Sequence, residues 1–353
     1  MNYIGSKHSL LEFIEESINA IVKEPVKTLC DVFAGTGAVG IYFKQKGLHI
    51  IANDMQYYSY VLNRHYIGNH KELLFNGLVE ECNLINTSIE NRKCIVCKYL
   101  EQLEPLKGFV YRNYALGGTK NKEYERLYFS DDNAALCDAV RTKIEQWKKE
   151  DKINDDEYFF LLATLLEAID KCANTASVYG AFLKKLKSSA QKSLSLTPAK
   201  LILNSQDHQI YNRDANQLIK EISADILYLD PPYNARQYCA NYHMLETIAK
   251  YDNPKISGKT GLREYKNQKS QYCSKSGVKK AFADLIQKAN VKYIFLSYNN
   301  EGLLSIDDIK EIMSQKGEYG YFTQEYNRFK ADSQRDYKAD KTTEYLHYCI
   351  VKN

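Results

Sequence analysis

Apolar positions change their period several times along this chain. In residues 9–22, Leu10, Leu11, Ile14, Ile18 and Ile21 recur at helical spacing and predict an amphipathic helix. Residues 28–33 (TLCDVF) are a short apolar run that enters a glycine-rich turn, as a strand would. Residues 38–46 read as the next helix, capped by Gly47, and residues 49–52 as the next strand, closed by Asn53 and Asp54. Such alternation predicts a mostly parallel sheet covered by helices. From about residue 70 to 205 the sequence turns polar and helix-rich, with residues 132–149 and 156–186 as the clearest helices. Between them and the first third, YRNYALGGTKNKEYERLYF reads as a loop. Strand-like runs return at 222–229, 291–297, 319–326 and 344–351. The expected fold class is therefore α/β. Residues 1–68 and 205–353 form one sheet domain, and residues 69–204 form a largely helical insertion.

Composition adds little until it is mapped. At 353 residues the chain exceeds what one compact core usually holds, which suits a domain with an insertion. No stretch approaches the roughly 18 apolar residues of a membrane span, and the first residues lack an apolar export signal. A cytoplasmic protein without a membrane partner is expected. Nine cysteines, an odd number, point to reduced thiols. Cys94 and Cys97 make the only CxxC, and Cys82, His65 and His70 lie upstream of it. No second close pair follows at zinc-finger spacing, so no metal is expected.

The net charge of +4 hides an asymmetry. Residues 184–200 hold five lysines and no acid, and residues 259–280 hold seven basic residues against one acid, interleaved with Tyr265 and Tyr272. Solvated surface is one reading of such runs. Concentrated basic loops on a nearly neutral chain also suit a polyanion. Lys184, Lys185, Lys187, Arg236, Tyr238, Arg263, Tyr265, Lys266 and Lys269 are the candidate nucleic-acid contacts.

Two motifs carry chemistry. DVFAGTGAVG sets Gly35, Gly37 and Gly40 in a GxGxxG register, with Asp54 19 residues after Gly35. The pattern fits a dinucleotide or any adenosyl ligand, and a ligand-free strand–helix turn also remains open. Asp31 is poorly suited to a pyrophosphate and well suited to an α-ammonium. The second motif, DPPYNARQY at 230–238, follows an apolar run. Two prolines donate no backbone N–H, so the strand must stop there. What remains is an acceptor-only carboxylate, free carbonyls and an aromatic plane. If an exocyclic adenine amine donates to Asp230 and to the Pro231 carbonyl, its lone pair is freed for in-line attack on a methyl donor. The developing positive charge is then stabilised by preorganised acceptors. Tyr233 would stack on a base that has left the duplex.

At this point the chain resembles the Dam-like, alpha-group N6-adenine DNA methyltransferases. The resemblance rests on NYIGSK (2–7), DVFAGTG (31–37), Asn53-Asp54, Arg213-Asp214-Ala215, DPPY (230–233) and LSYN (296–299). It covers roughly residues 1–68 and 205–353. The form DPPYNARQY is similar to members paired with type II restriction enzymes, whereas the insertion departs from the GATC readers. The resemblance implies a Rossmann-like sheet that binds S-adenosylmethionine, with the target-recognition segment lodged in the insertion. It implies a catalytic set of Asp230, Pro231, Pro232 and Tyr233. Tyr3, Lys7, Asp31, Phe33, Ala34, Gly35, Thr36, Gly37, Asn53, Asp54, Asp214 and Ala215 would line the cofactor site. Within it Asp54 would meet the ribose, Asp214 the cofactor's adenine amine, and Lys7 the cofactor carboxylate or the methyl-transfer site. The implied partners are double-stranded DNA, which would associate a bacterial member with the nucleoid, and a paired endonuclease. An RNA or protein amine methyltransferase, a nicotinamide dehydrogenase and a non-catalytic DNA-binding regulator stay open from the residues alone.

Overall fold

The computed structural model describes residues 5–327 and 341–352, so Tyr3 lies outside the described residues. The chain divides into two compact units. One comprises Arg64–Leu203 with Cys239–Tyr265, and the other the described residues of Tyr3–Asn63, Asn204–Tyr238 and Lys266–Asn353. The helical unit thus takes in residues 239–265 as well as the expected insertion.

In chain order the strands are β1 (Thr28–Asp31), β2 (His49–Asn53), β3 (Gln209–Tyr211), β4 (Ser223–Leu229), β5 (Ile256–Ser257), β6 (Leu262–Arg263), β7 (Asn290–Asn299), β8 (Gly317–Asn327) and β9 (Lys341–Val351). The short β5 and β6 pair with each other in the helical unit. The remaining seven form one sheet in the order β3-β2-β1-β4-β7-β9-β8. Strands from β3 through β7 run parallel, while β9 is antiparallel to both of its neighbours. Leu227 and Leu229 of β4, with Ile294 and Leu296 of β7, are covered by Phe282, Leu285 and Ile286 of the helix Val278–Lys288. Ile309 and Met313 of Ile306–Ser314 close the same layer. Burial of both faces explains the continuous apolar runs at 226–229 and 293–296 in these strands. β1 stops at Asp31, two residues earlier than expected, because the Asp31 carboxylate takes the Phe33 N–H and the chain turns.

β1 lies between β2 and β4, and the strand order reverses there. In parallel sheets such a reversal leaves a crevice at the carboxyl ends of the strands, where ligands bind.

In the helical unit, Asp131–Lys149 starts at a Ser130 cap and Asp155–Lys171 at an Asn154/Glu157 capping box. The expected helix over 156–186 ends at Lys171. The Asn174 amide donates to the Leu127 and Leu183 carbonyls, and its oxygen accepts the Lys187 N–H, so a short polar side chain takes over from the helical ladder. The paired glycines expected in a loop instead lie in a single turn, Leu116–Thr119. Cys94 is exposed and Cys97 buried on the helix Ile89–Glu101. Among the described residues no group of three or more His, Cys, Asp or Glu side chains is placed to hold a metal. Nor is any helix among them long and apolar enough to cross a membrane.

Candidate active site

A cavity of about 560 Å³ occupies the crevice, and every residue that lines it belongs to the sheet unit. That size suits a small molecule held by convergent polar groups. The first wall is the glycine turn. The Ala34 N–H donates to the Asn53 carbonyl at 2.9 Å, and the Gly35 N–H to Asp54 Oδ2 at 2.9 Å. Asp54 Oδ1 accepts the Gln56 N–H, so both of its oxygens hold loops beside the cavity. Gly37 lies behind the turn, not on the cavity wall. Its φ is +85°, and a Cβ there would stand 2.7 Å from Asn63 Oδ1, on the side chain whose amide donates to the Gly35 carbonyl.

Asn53 is buried and has a structural part. Its amide donates to the Val32 and Arg213 carbonyls while its oxygen accepts the Arg213 N–H. That stitching places Asp214, which caps the short helix Ala215–Leu218 by accepting the Gln217 N–H. Phe33, Thr36 and Ala215 also face the cavity, with Phe33 edge-on to Tyr272 at 4.8 Å. Asp31, Asp54, Asp214, Asp230 and Asp284 line it against Lys7, Arg213 and Lys280. Five carboxylates suit a ligand carrying positive charge and repel a pyrophosphate. Burial, then the nearby Asp230 charge, push the Asp31 carboxyl well above its usual range, against the pull of the Phe33 N–H.

The second wall is the turn that ends β4. Asp230 and Pro232 face the cavity, Pro231 is buried, and Tyr233 is half-buried with its ring edge-on to Tyr298 of LSYN at 6.1 Å. The Leu303 N–H donates to the Tyr233 carbonyl and fixes the turn. Lys7, of the expected alternatives, stands at the carboxylate of this turn. Its Nζ is 3.2 Å from Asp230 Oδ1 and 2.8 Å from Glu344 Oε1 on β9, and 5.8 Å from the centre of the Tyr233 ring. Ser297 of LSYN donates its hydroxyl to the same Glu344 oxygen. Burial pushes the Asp230 carboxyl up to about 6, with Lys7 opposing and Glu344 adding to the rise. Burial also acts to lower the Lys7 ammonium, but Asp230 and Glu344 outweigh it and hold the pKa well above its ordinary value.

The candidate DNA contacts separate. Lys184, Lys185, Arg236, Lys266 and Lys269 are exposed, and Tyr265 is half-buried. Lys187 is half-buried and donates to the Thr175 carbonyl. Arg263 is corrected: it is buried, and its guanidinium grips Asp252 through two contacts of 2.7 and 3.1 Å, which takes it away from a phosphate. Tyr238 is also placed otherwise, on the cavity wall. Its hydroxyl lies 3.2 Å from where a Cβ on Gly5 would sit, and Gly5 has a φ of +79°. Within residues 259–280, expected to face DNA, Gln268, Gln271, Tyr272 and Lys280 line the cavity as an outer wall. Gln237 ties that segment to the turn after β4 by exchanging two hydrogen bonds with the Ser270 backbone. Sequence reasoning missed Glu344. Its one local sign was an acid at the start of the run 344–351, between a polar Lys-Thr-Thr stretch and a mostly apolar and aromatic one.

The profile of the D12 class N6 adenine-specific DNA methyltransferases matches residues 3–312. The type II methyltransferase M.NlaIII of Neisseria lactamica is 53% identical over 351 residues, covering 98% of both chains. M.FokI of Planomicrobium okeanokoites, also a type II methyltransferase, is 39% identical over 99% of this chain and 52% of its own length. M.CviAII of Paramecium bursaria Chlorella virus 1 is 34% identical over 100% of this chain and 99% of its own.

Proposed function

This chain belongs to the D12 class N6 adenine-specific DNA methyltransferases, and from that premise we propose how its residues perform the reaction. Asp230, Pro231 and Tyr233 form the pocket for an adenine turned out of the duplex. The adenine amine donates one N–H to Asp230 and the other to the Pro231 carbonyl, and Tyr233 stacks on the ring. The acceptors draw the nitrogen toward tetrahedral geometry and stabilise the positive charge it acquires with the methyl group. Loss of one proton then restores the neutral N6-methylated base. S-Adenosylmethionine, when bound, supplies the methyl group as part of a sulfonium. The donor set of the cavity fits it: Asp54 would hold the ribose hydroxyls, Asp214 the adenine amine, and Asp31 the α-ammonium. The observation that carries this reading is the placement of Asp230 on the same cavity as the glycine turn and Asp54.

Lys184, Lys185, Arg236, Lys266 and Lys269 would neutralise phosphates, which sets affinity, while polar side chains of the helical unit would read bases. The type II relatives support a second element of the proposal, that this chain is the modification half of a restriction–modification system with a paired endonuclease. The test is Asp230→Ala, with N6-methyladenine formed in unmethylated genomic DNA measured by nucleoside mass spectrometry. Turnover should fall below detection while cofactor binding by calorimetry stays within a few-fold of wild type. Near-normal turnover would overturn the mechanism.

A further inference from the structure

We propose that Glu344 is a positioning residue for methyl transfer, acting through Lys7 to fix the Asp230 carboxylate and to keep the buried cluster net negative. The inference rests on the reading of Asp230 given above. Its basis is the geometry of three charges. One ammonium, 5% exposed, serves a carboxylate 2% exposed at 2.8 Å and a second, 18% exposed, at 3.2 Å. The Ser297 hydroxyl closes the network on Glu344. Lys7 and Asp230 alone would sum to zero, leaving little field for a base nitrogen that becomes positive. Glu344 adds one negative charge, draws the ammonium partly away from Asp230, and leaves that carboxylate a stronger acceptor. A buried ion pair is often no more stabilising than apolar packing, so fold stability alone is a weak reason for three charges here. Among the described residues, Asp31 on β1, Tyr228 on β4 and Tyr233 beyond it also couple to Asp230.

The experiment compares wild type with Glu344→Gln, which keeps shape and removes charge. Melting temperature, S-adenosylmethionine affinity by calorimetry, and kcat and KM for a duplex substrate are measured from pH 5 to 9. Cofactor affinity should stay within about twofold. The kcat at pH 7.5 should fall about tenfold or more, the factor that ~1.4 kcal/mol on the barrier supplies. The acid limb of kcat should move to lower pH, because Lys7 then serves Asp230 undivided. A purely structural Glu344 would lower the melting temperature and leave that limb in place. Unchanged kcat, or a fall in kcat matched by lost cofactor affinity with an unmoved limb, overturns the inference. If Glu344→Gln does not fold, Ser297→Ala tests it, since that variant keeps all three charges and removes one hydrogen bond that holds the Glu344 carboxylate in place. The kcat should again fall with cofactor affinity retained, and wild-type kcat overturns the proposal. Failure of the parent reading looks different: Asp230→Ala would then remain active.

Discussion

Replacing Lys7 by Met keeps much of the side chain's volume and removes the cation that contacts both Asp230 and Glu344. A unit charge 3.2 Å away, at an effective dielectric of about 20, interacts by ~5 kcal/mol. Asp230 keeps 18% of its side-chain surface in solvent, so water returns part of this. A net loss of ~1.5–3 kcal/mol is expected, which is one to two pH units. The carboxyl that burial already holds at about 6 would then titrate at roughly 7–8. Since the ionised form accepts the amine, kcat should fall about 3- to 25-fold at pH 6.5 and recover as pH rises past 8. Stability moves the opposite way. A carboxyl whose folded pKa exceeds its unfolded value favours the fold most below the unfolded value, near 4. It weakens the fold progressively as pH rises through the folded one, so Lys7→Met should melt lower at pH 8 than at pH 5. Single-turnover methylation of a duplex oligonucleotide, with thermal melts across the same buffers, measures both. An acid limb that stays put, with no alkaline recovery, would refute the assignment of Lys7 as the partner of Asp230.

Gly37→Ala should cost about 1–2 kcal/mol in urea unfolding, because φ is +85° and the new Cβ meets Asn63. Asp225 accepts the Lys27 and Thr28 N–H groups, and these with Lys292 hold its carboxyl down at about 2 although burial alone would raise it. Asp225→Ala should therefore cost about 2 kcal/mol near neutral pH, and the difference from wild type should vanish as pH falls from about 4 to 2. Replacing Lys184 and Lys185 together by Ala should leave melting unchanged and flatten the salt dependence of DNA binding by about two charges. Arg263→Ala should instead lower the melting temperature, since it leaves Asp252 without its guanidinium partner.

Much of the sheet unit was legible because its signals are local. β4 and β7 carry apolar runs at 226–229 and 293–296, and the glycines and double proline mark where parallel strands end. Helix ends were less legible. Asn174 stops the helix after Lys171 through carbonyls at residues 127 and 183, and no period within 156–186 announces that. Charge was the poorest guide. Arg263 and Lys269 belong to one basic run, yet the first is buried against Asp252 and the second is exposed.

The sequence by itself determined the α/β class, the glycine turn with its downstream acid, and the Asp-Pro-Pro-Tyr turn, because each follows from short stretches of the chain. The tertiary structure alone decided that residues 268–281 wall the cavity and that the Asp230 carboxylate shares the Lys7 ammonium with Glu344. Lys7 and Glu344 lie 337 positions apart. Their contact exists because β9 enters the sheet antiparallel beside β7 and sets Glu344 opposite Asn299. A long-range register of that kind is fixed by packing the whole sheet, and no local period in the chain encodes it.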